Sequence, residues 1–262
     1  MTFEDPLVLR SDRADGLTTL TLNRPGQFNS LSQDMLTAIK AELDAIAASE
    51  AVRVVVIAGA GKAFCAGHDL KEMRANHDKG FMQALFRQCG DLMLTLTRMP
   101  QPVIARVHGI ATAAGCQLVS MCDLAVAADV AKFAVSGINV GLFCSTPAVG
   151  LARNLGRKAA LEMLLTGDFI DAMEAKSKGL VNRVVPADAL DAEIERLVQS
   201  ILAKSAVAVR IGKGMFYKQL EMGLSDAYDY ASEVMACNMM SDDAGEGIDA
   251  FMQKRAPQYK GR

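Results

Sequence analysis

Three short apolar runs in the first half of the chain constrain its fold more than any other feature. They occupy residues 53–58, 103–107 and 124–128. A continuous apolar run is typical of a strand that is covered on both faces, and such strands occur mainly in parallel sheets. Small residues follow the second run and lead into a helical stretch that ends near Met121. This alternation of strand and helix predicts an α/β fold.

The segments around these runs predict the remaining architecture. The strands at 7–10 and 17–22 are separated by Asp15-Gly16, which is a hairpin signal. Ser32 precedes an apolar helical repeat and is a candidate N-cap, and a polar helix is expected at 79–98. From Leu151 onward the pattern is helical, with helices at 157–165 and 171–178, one short strand at 180–185 and an apolar helix face over 190–201. We therefore predict a core over residues 1–203.

Residues 204–262 predict a separate helical region. Helices are expected near 206–221, 224–240 and 243–254, and their apolar positions fall on more than one side. Such helices are hard to bury within one chain, so we expect them to pack on neighbouring subunits.

Composition excludes several classes of function. The formal net charge of -2 argues against a nucleic-acid partner, and no run reaches the ~20 apolar residues that a membrane span needs. The six cysteines show no C-x-x-C spacing and there are three histidines, so we expect reduced thiols and no metal site. The N-terminal residues resemble no targeting signal, which predicts a cytoplasmic protein, or one of the mitochondrial matrix if a presequence has been removed.

Two loops carry the residues that point to chemistry. Residues 63–70 and residues 108–118 each follow a predicted buried strand and are rich in small residues. In such loops the backbone can turn sharply at Gly67, and backbone N–H groups at a helix N-terminus can face a ligand. Either loop alone is weak evidence, because small residues after strands are common in α/β proteins. The two together, about 45 residues apart, are far more specific.

With these motifs in order, the chain resembles the crotonase (enoyl-CoA hydratase/isomerase) superfamily over nearly its whole length. The similarity rests on the segments Asn23-Arg-Pro with Asn29-Ser-Leu31, Phe64-Cys-Ala-Gly-His-Asp-Leu70, Pro102-Val-Ile-Ala through Gly115-Cys-Gln, Leu164-Leu-Thr-Gly-Asp168, Gly179-Leu-Val181 and Phe251-Met-Gln-Lys-Arg255. The resemblance implies a spiral of ββα turns followed by helices that assemble a homotrimer or a dimer of trimers. It also implies an acyl-CoA substrate and no separate cofactor, since CoA is part of the substrate.

The resemblance further assigns roles to individual residues. The backbone N–H groups of His68 and Ala114 would form an oxyanion hole for the thioester carbonyl. This chain has Ala113-Ala114 where the family usually has Gly-Gly, and the methyl of an alanine would narrow the pocket. Lys254 matches a basic position that in relatives meets the CoA phosphates of a neighbouring subunit, although a solvated surface lysine is an equal reading. The residues expected to contact substrate are Gly26, Phe28, Ala66, His68, Asp69, Leu70, Ile110, Ala114, Gly137 and Lys254.

The chain departs from the family at the acid–base positions. Hydratases of the family use two glutamates, whose positions fall here on Gln117 and Gly137, and a third acidic position falls near Ser145. Because positioned acid–base groups contribute roughly 10²–10⁴ each, classical hydratase activity is expected to be weak or absent. Two functions stay open: an atypical enzyme, such as a hydratase, isomerase or thioester hydrolase, and a catalytically silent acyl-CoA-binding or regulatory protein. A scaffold without a ligand is the third reading.

The other polar residues near the two loops have less certain roles. The His68 side chain has a suitable pKa for proton transfer but can equally point to solvent, and Asp69 and Asp123 fit structural roles. Cys116 and Cys144 are expected to be inert, because no base is adjacent in the sequence. Gln117 is either an uncharged isostere that preserves helix packing or a residue that hydrogen-bonds the thioester or a polar acyl group.

Overall fold

A computed structural model describes residues 5–262 of the chain. Within that range the strands are β1 (Val8–Asp12), β2 (Leu17–Leu22), β3 (Val54–Gly59), β4 (Ala63–Cys65), β5 (Val103–Val107), β6 (Ile110–Thr112), β7 (Leu124–Ala128), β8 (Lys132–Ala134), β9 (Ile170–Asp171) and β10 (Arg183–Val185). The helices are α1 (Gln33–Ala47), α2 (Leu70–Ala75), α3 (Lys79–Arg98), α4 (Ala114–Met121), α5 (Ser145–Asn154), α6 (Arg157–Thr166), α7 (Ala172–Ser177), α8 (Leu190–Leu202), α9 (Ala206–Gln219), α10 (Leu224–Met239) and α11 (Asp242–Met252).

The strands form two sheets, and the chain alternates between them from β3 to β8. The larger sheet has the order β1-β2-β3-β5-β7-β10, and the smaller has the order β4-β6-β8-β9. The antiparallel pairs are β1 with β2 and β8 with β9, and the other pairs are parallel. Within this part the chain runs three times from a strand of the larger sheet to one of the smaller sheet and on to a helix, as in β5, β6 and α4. The predicted α/β fold and its ββα repeat are confirmed.

The long apolar run in β3 is explained by packing on both of its faces. Val55 and Ile57 belong to the main core, which also includes the apolar faces of α1 and α3. Val54 and Val56 point to the opposite face, where they pack with Ile194 of α8 and its neighbours. Because successive strand residues face opposite sides, only a strand covered on both sides has no polar position.

The C-terminal helices are fixed to the core by a buried ion pair. Nζ of Lys213, on α9, lies 2.6 Å from a carboxylate oxygen of Asp123 and donates to the carbonyls of Leu96 and Gln101 at 2.7 and 2.8 Å. The hydroxyl of Tyr217 donates to the second oxygen of Asp123 at 2.8 Å. The sequence position of Asp123 predicts a structural cap, and in the structure its carboxylate instead anchors α9 through Lys213 and Tyr217. Burial lowers the pKa of Lys213, and the carboxylate opposes that shift.

These helices also carry large apolar side chains that the chain leaves exposed. On these helices and at their ends they are Phe216, Leu220, Leu224, Tyr228, Met235, Met239, Met240, Ile248, Phe251 and Met252.

The predicted helices after residue 205 are confirmed, but the bounds of one predicted strand and the start of one predicted helical region were wrong. The strand expected at 180–185 is limited to β10, and helix begins at Ser145 because Pro147 is tolerated in the first turn of α5. Among residues 5–262, no helix combines the length and apolar character required to cross a membrane.

Candidate functional site

The two loops singled out in the sequence lie side by side. Strands β4 and β6 are parallel neighbours, with Ala63 opposite Ile110 and Cys65 opposite Ala111. Their carboxyl ends therefore meet at one edge of the smaller sheet, and the loops that leave them are adjacent. A methyl group placed on Gly67 would lie 2.8 Å from the Cβ of Ala113 and 3.1 Å from the backbone nitrogen of Ala114. The first loop thus closely approaches the start of α4.

The first loop is held by Leu31. The N–H of Leu31 donates to the carbonyl of Gly67 at 2.7 Å, and the N–H of Asp69 donates back to the carbonyl of Leu31 at 3.4 Å. Gly67 has φ +88, a conformation that strongly favours glycine. Asp69 then caps α2 by accepting hydrogen bonds from the N–H groups of Lys71 and Glu72. His68 lies between these fixed residues.

The second loop contains a strained backbone. Ala113 has φ 51 and ψ -120, a combination that is rare for a residue with a side chain. This turn makes Ala114 the first residue of α4, so the Ala114 N–H has no intrahelical partner. Gly115 permits the close approach of α4 to β4, since a methyl group there would lie 2.1 Å from the carbonyl oxygen of Cys65.

The backbone N–H groups of His68 and Ala114 share one property. Across residues 5–262, neither the N–H of His68 nor that of Ala114 donates to a protein acceptor. Ala114 is only 1% exposed, so its unpaired donor is costly unless a ligand or water accepts from it. Two adjacent N–H groups without acceptors, one of them at a helix N-terminus, form a site that favours a partially negative oxygen.

Two residues that sequence reasoning left without a role support this site. Asn29 is fully buried; its amide nitrogen donates to the carbonyls of Ala60, Ala63 and Phe64 at 2.9, 2.9 and 3.1 Å. Arg24 forms an ion pair with Asp69 at 2.7 Å. The Asn23-Arg-Pro and Asn29-Ser-Leu31 segments thus fasten the first loop to its neighbours. The polar residues of these segments were the sequence signal from which this supporting role could have been predicted.

The His68 side chain turns inward rather than to solvent. Its Nδ1 lies 3.2 Å from the carbonyl oxygen of Leu31, and its ring makes an edge-on contact with Phe86 of α3 at a centroid distance of 5.4 Å. Burial lowers the pKa of the His68 imidazole, and the bond to Leu31 opposes that shift. The neutral ring donates from Nδ1, which leaves Nε2 as an acceptor. This Nε2 is buried and has no partner within residues 5–262.

Gln117 and Gly137, which the family resemblance places at the hydratase glutamate positions, have different surroundings. Gln117 is 4% exposed, and its Oε1 is buried without a partner in the described part of the chain. The Cα of Gly137 faces Leu142 and Cys144. A methyl group added to Gly137 would lie 2.6 Å from the Leu142 carbonyl oxygen and 2.7 Å from the Cys144 Sγ. The space that a longer side chain at 137 would need is thus already filled.

The remaining predicted contact residues fall into two groups. Phe28, Leu70 and Ile110 are 54%, 55% and 42% exposed and lie on segments that adjoin the two amides. Gly26 is also exposed on that side of the chain, in the turn before Phe28, and Ala66 donates to the Phe28 carbonyl at 3.0 Å. Lys254, by contrast, is exposed just beyond α11, a helix that packs on α9 and α10. Within residues 5–262, Lys254 forms no hydrogen bond or ion pair with the two loops.

The two thiols near the site and the metal-binding residue types are further potentially reactive groups. Burial raises the pKa of the Cys116 thiol to about 12 and also raises that of Cys144, so both thiols are protonated near neutral pH. Between residues 5 and 262, no cluster of His, Cys, Asp or Glu is suited to hold a metal ion.

Sequence comparisons group this chain with one family of known proteins. The profile of the enoyl-CoA hydratase/isomerase family matches residues 12–262. The rat protein called enoyl-CoA hydratase domain-containing protein 3, mitochondrial, is 44% identical over 97% of this chain and 85% of its own length. A probable enoyl-CoA hydratase from Mycobacterium tuberculosis is 36% identical over the full length of both chains.

Two solved structures are similar to this chain over nearly its whole length. The crystal structure of an enoyl-CoA hydratase from Mycobacterium smegmatis is 58% identical with a TM-score of 0.96, over 97% of this chain and 99% of that one. Human enoyl-CoA hydratase domain-containing protein 3 is 43% identical with a TM-score of 0.93, over 97% of this chain and 100% of that one.

Proposed function

Since the chain belongs to the enoyl-CoA hydratase/isomerase (crotonase) family, we propose that it binds an acyl-CoA thioester and polarises its carbonyl with the N–H groups of His68 and Ala114. The observation that supports this proposal is the pair of neighbouring backbone N–H groups that find no acceptor among residues 5–262. Fixed donors aimed at a developing oxyanion require no reorganisation during reaction, and removing one typically costs about 10²–10³ in rate. The exposed Phe28, Leu70 and Ile110 supply apolar surface beside that oxygen position.

The proposed activity is that of an atypical family enzyme of fatty acid metabolism. Gln117 cannot act as a proton donor or acceptor near neutral pH, and Gly137 has no side chain. Because an oxyanion hole stabilises an enolate without moving protons, we expect water addition to a double bond to be slow. The second candidate is a catalytically silent acyl-CoA-binding or regulatory protein. It is favoured by the crowding around Gly137, which leaves no room for a second carboxylate.

Two measurements on the purified full-length chain test the proposal and separate its two forms. Calorimetric titration with acetoacetyl-CoA should give saturable binding that is tighter than the binding of CoA alone. Hydration of crotonyl-CoA should be at least tenfold slower than for a competent hydratase measured in parallel. Equal affinity for acetoacetyl-CoA and CoA would refute the carbonyl site. Turnover within tenfold of the competent enzyme would refute the argument that Gln117 and Gly137 disable hydration.

Assembly and location are proposed with the same function. The exposed apolar side chains of α9, α10 and α11 support a homotrimer, or a dimer of trimers, in which these helices contact neighbouring subunits. In such an assembly Lys254 would meet the CoA phosphates of a neighbour, and Lys254→Glu should weaken CoA affinity. Unchanged affinity would refute that role. A cytoplasmic or matrix location stays a prediction.

A further inference from the structure

A large cavity lies away from the two loops that carry His68 and Ala114. It has a volume of about 830 Å³ and is lined by residues at the end of α1, in the first turns of α9 and in the segment 259–262. Residues 52–53 before β3 and residues 100–101 before β5 also line it. Because β3 and β5 are parallel, the cavity adjoins their amino ends, whereas the chain reaches the two loops from their carboxyl ends. The proposed function uses none of the residues that line this cavity.

Three cationic side chains line the cavity from three different segments. They are Arg53 before β3, Arg210 on α9 and Lys260 in the segment 259–262. Within residues 5–262, none of these three side chains forms an ion pair. Arg262, the fourth cation of the wall, is already paired with a carboxylate. Glu50 is the one acidic side chain among the described residues of the wall, so the cavity carries an excess of positive charge.

Arg53 is the partly buried member of this group. One of its terminal nitrogens donates to the carbonyl of Lys204 at 2.8 Å, and its other N–H donors find no acceptor in the described part of the chain. Burial lowers the pKa of Arg53, and the carboxylate of Asp243 opposes that shift. A partly buried cation without a paired anion is costly, so an anion that entered the cavity would be stabilised there.

The wall that carries Lys260 is held in place by Asp243. This residue is 2% exposed, and its carboxylate accepts hydrogen bonds from the N–H of Lys260 at 2.6 Å and from the N–H of Gly261 at 3.0 Å. It also accepts from the hydroxyl of Ser205 at 2.6 Å. These bonds satisfy the carboxylate and fix the backbone that places Lys260 beside the cavity.

Gln101 gives the cavity an unpaired polar group that is independent of the cations. It is 5% exposed, and its amide nitrogen donates to the carbonyls of Ile46 and Ser49 at 2.8 and 3.0 Å. Its Oε1 is buried and has no donor among residues 5–262. A buried acceptor without a hydrogen bond is uncommon and calls for a specific explanation. A hydroxyl or amino group of a ligand that reaches the Gln101 amide would provide one.

We propose that this cavity is a second binding site, which takes a small phosphorylated molecule and is separate from the acyl-CoA site. Phosphate oxygens are suitable acceptors for guanidinium and ammonium groups, and a ligand with two phosphate groups can contact more than one of the three cations. The volume of the cavity falls within the range of about 300–1,000 Å³ that is typical of small-molecule sites. This inference goes beyond the proposed function and does not depend on it.

Calorimetric titration of the full-length protein with inorganic pyrophosphate tests the proposal. The titration is made at low ionic strength, because salt screens exposed charges. We expect saturable binding with one site per chain, at least about tenfold tighter than the binding of sulfate, since sulfate lacks the span to contact several cations. Absence of saturable binding, or equal binding of pyrophosphate and sulfate, would overturn the proposal.

A pair of double variants locates the bound pyrophosphate. Arg210→Gln with Lys260→Gln removes two exposed cations of the wall and should weaken pyrophosphate binding about tenfold or more. Arg157→Gln with Lys158→Gln removes the same two charges from the exposed face of α6, outside the cavity, and should change the affinity less than about twofold. Equal losses in the two double variants, or no loss in the first, would overturn the proposal.

Two further measurements separate this site from general charge effects and from the acyl-CoA site. Glu50→Gln removes the acidic side chain of the wall and should strengthen pyrophosphate binding by about two- to fivefold, whereas Glu233→Gln on α10 should leave it unchanged. The first double variant should also bind acetoacetyl-CoA as tightly as the parent chain does. A parallel loss of acetoacetyl-CoA affinity would overturn the assignment of a separate site.

Discussion

The contact between Gly67 and the start of α4 makes Gly67→Ala a sharp test of the carbonyl site. The new methyl group would lie 2.8 Å from the Ala113 Cβ, 3.0 Å from the Thr112 oxygen and 3.1 Å from the Ala114 nitrogen. Two of these three atoms are backbone atoms, so relief requires the two loops to separate. The substitution therefore moves one proposed donor away from the other without removing either.

The substitution should lower both the free energy of unfolding and the affinity for acetoacetyl-CoA. Alanine at φ +88 costs about 1–2 kcal/mol in backbone strain, and the crowding adds about 1 kcal/mol or more. Urea unfolding should therefore show a loss of about 2–3 kcal/mol in the free energy of unfolding. Each hydrogen bond to the thioester oxygen contributes about 1 kcal/mol, so misaligning both should weaken acetoacetyl-CoA binding about tenfold or more by calorimetry.

Gly261→Ala is the matched control for this experiment. Gly261 also has positive φ, at +77, but an added methyl group there meets only the Ala206 Cβ at an ordinary distance of 3.5 Å. This variant should lose about 1–2 kcal/mol of stability and keep its affinity. If Gly67→Ala binds acetoacetyl-CoA as tightly as the parent chain, the two loops do not form the carbonyl site and the reasoning is refuted.

Three further predictions concern strain, burial and charge. Ala113→Gly should raise the free energy of unfolding by about 1 kcal/mol, because glycine relieves the strain at φ 51; a decrease in urea unfolding would contradict the strain assignment. Lys213→Met should cost about 3–5 kcal/mol, since it leaves a buried carboxylate unpaired, whereas Lys40→Met on the exposed face of α1 should cost less than about 1 kcal/mol. Burial raises the pKa of Asp69, but the Arg24 ion pair and two backbone donors outweigh it and hold that pKa below its ordinary value. The stability from Asp69 is therefore present above its unfolded-state pKa of about 3.9 and lost as pH falls through the folded-state pKa, so Asp69→Asn should flatten acid unfolding below about pH 4.

The parts of the fold that depend on local pattern could be predicted from the sequence. The apolar run of β3, the Ser32 cap of α1 and the helices after residue 205 all follow from hydrophobic periodicity and capping chemistry. The adjacency of the His68 and Ala114 loops came from family resemblance, because pairing between β4 and β6 is a long-range property. Each of these strands has only three residues, too few for a periodic signal.

The orientation of side chains at the site could not be predicted in the same way. His68 faces inward because Phe86, on a helix 18 residues further along, packs against its ring. The position of Ala113 in a strained conformation depends on the strand that precedes it and on the helix that must begin at Ala114. Asn29 serves three carbonyls that lie 31 to 35 residues away. Such relations depend on tertiary packing and leave no periodic trace.

The crowding around Gly137 bears on any attempt to engineer a proton-transfer group at this position. A glutamate there would push its side chain against the Leu142 peptide and the Cys144 sulfur, so we expect Gly137→Glu to lower the free energy of unfolding before it could add any proton transfer. Substitutions that open the 142–144 segment would have to accompany it.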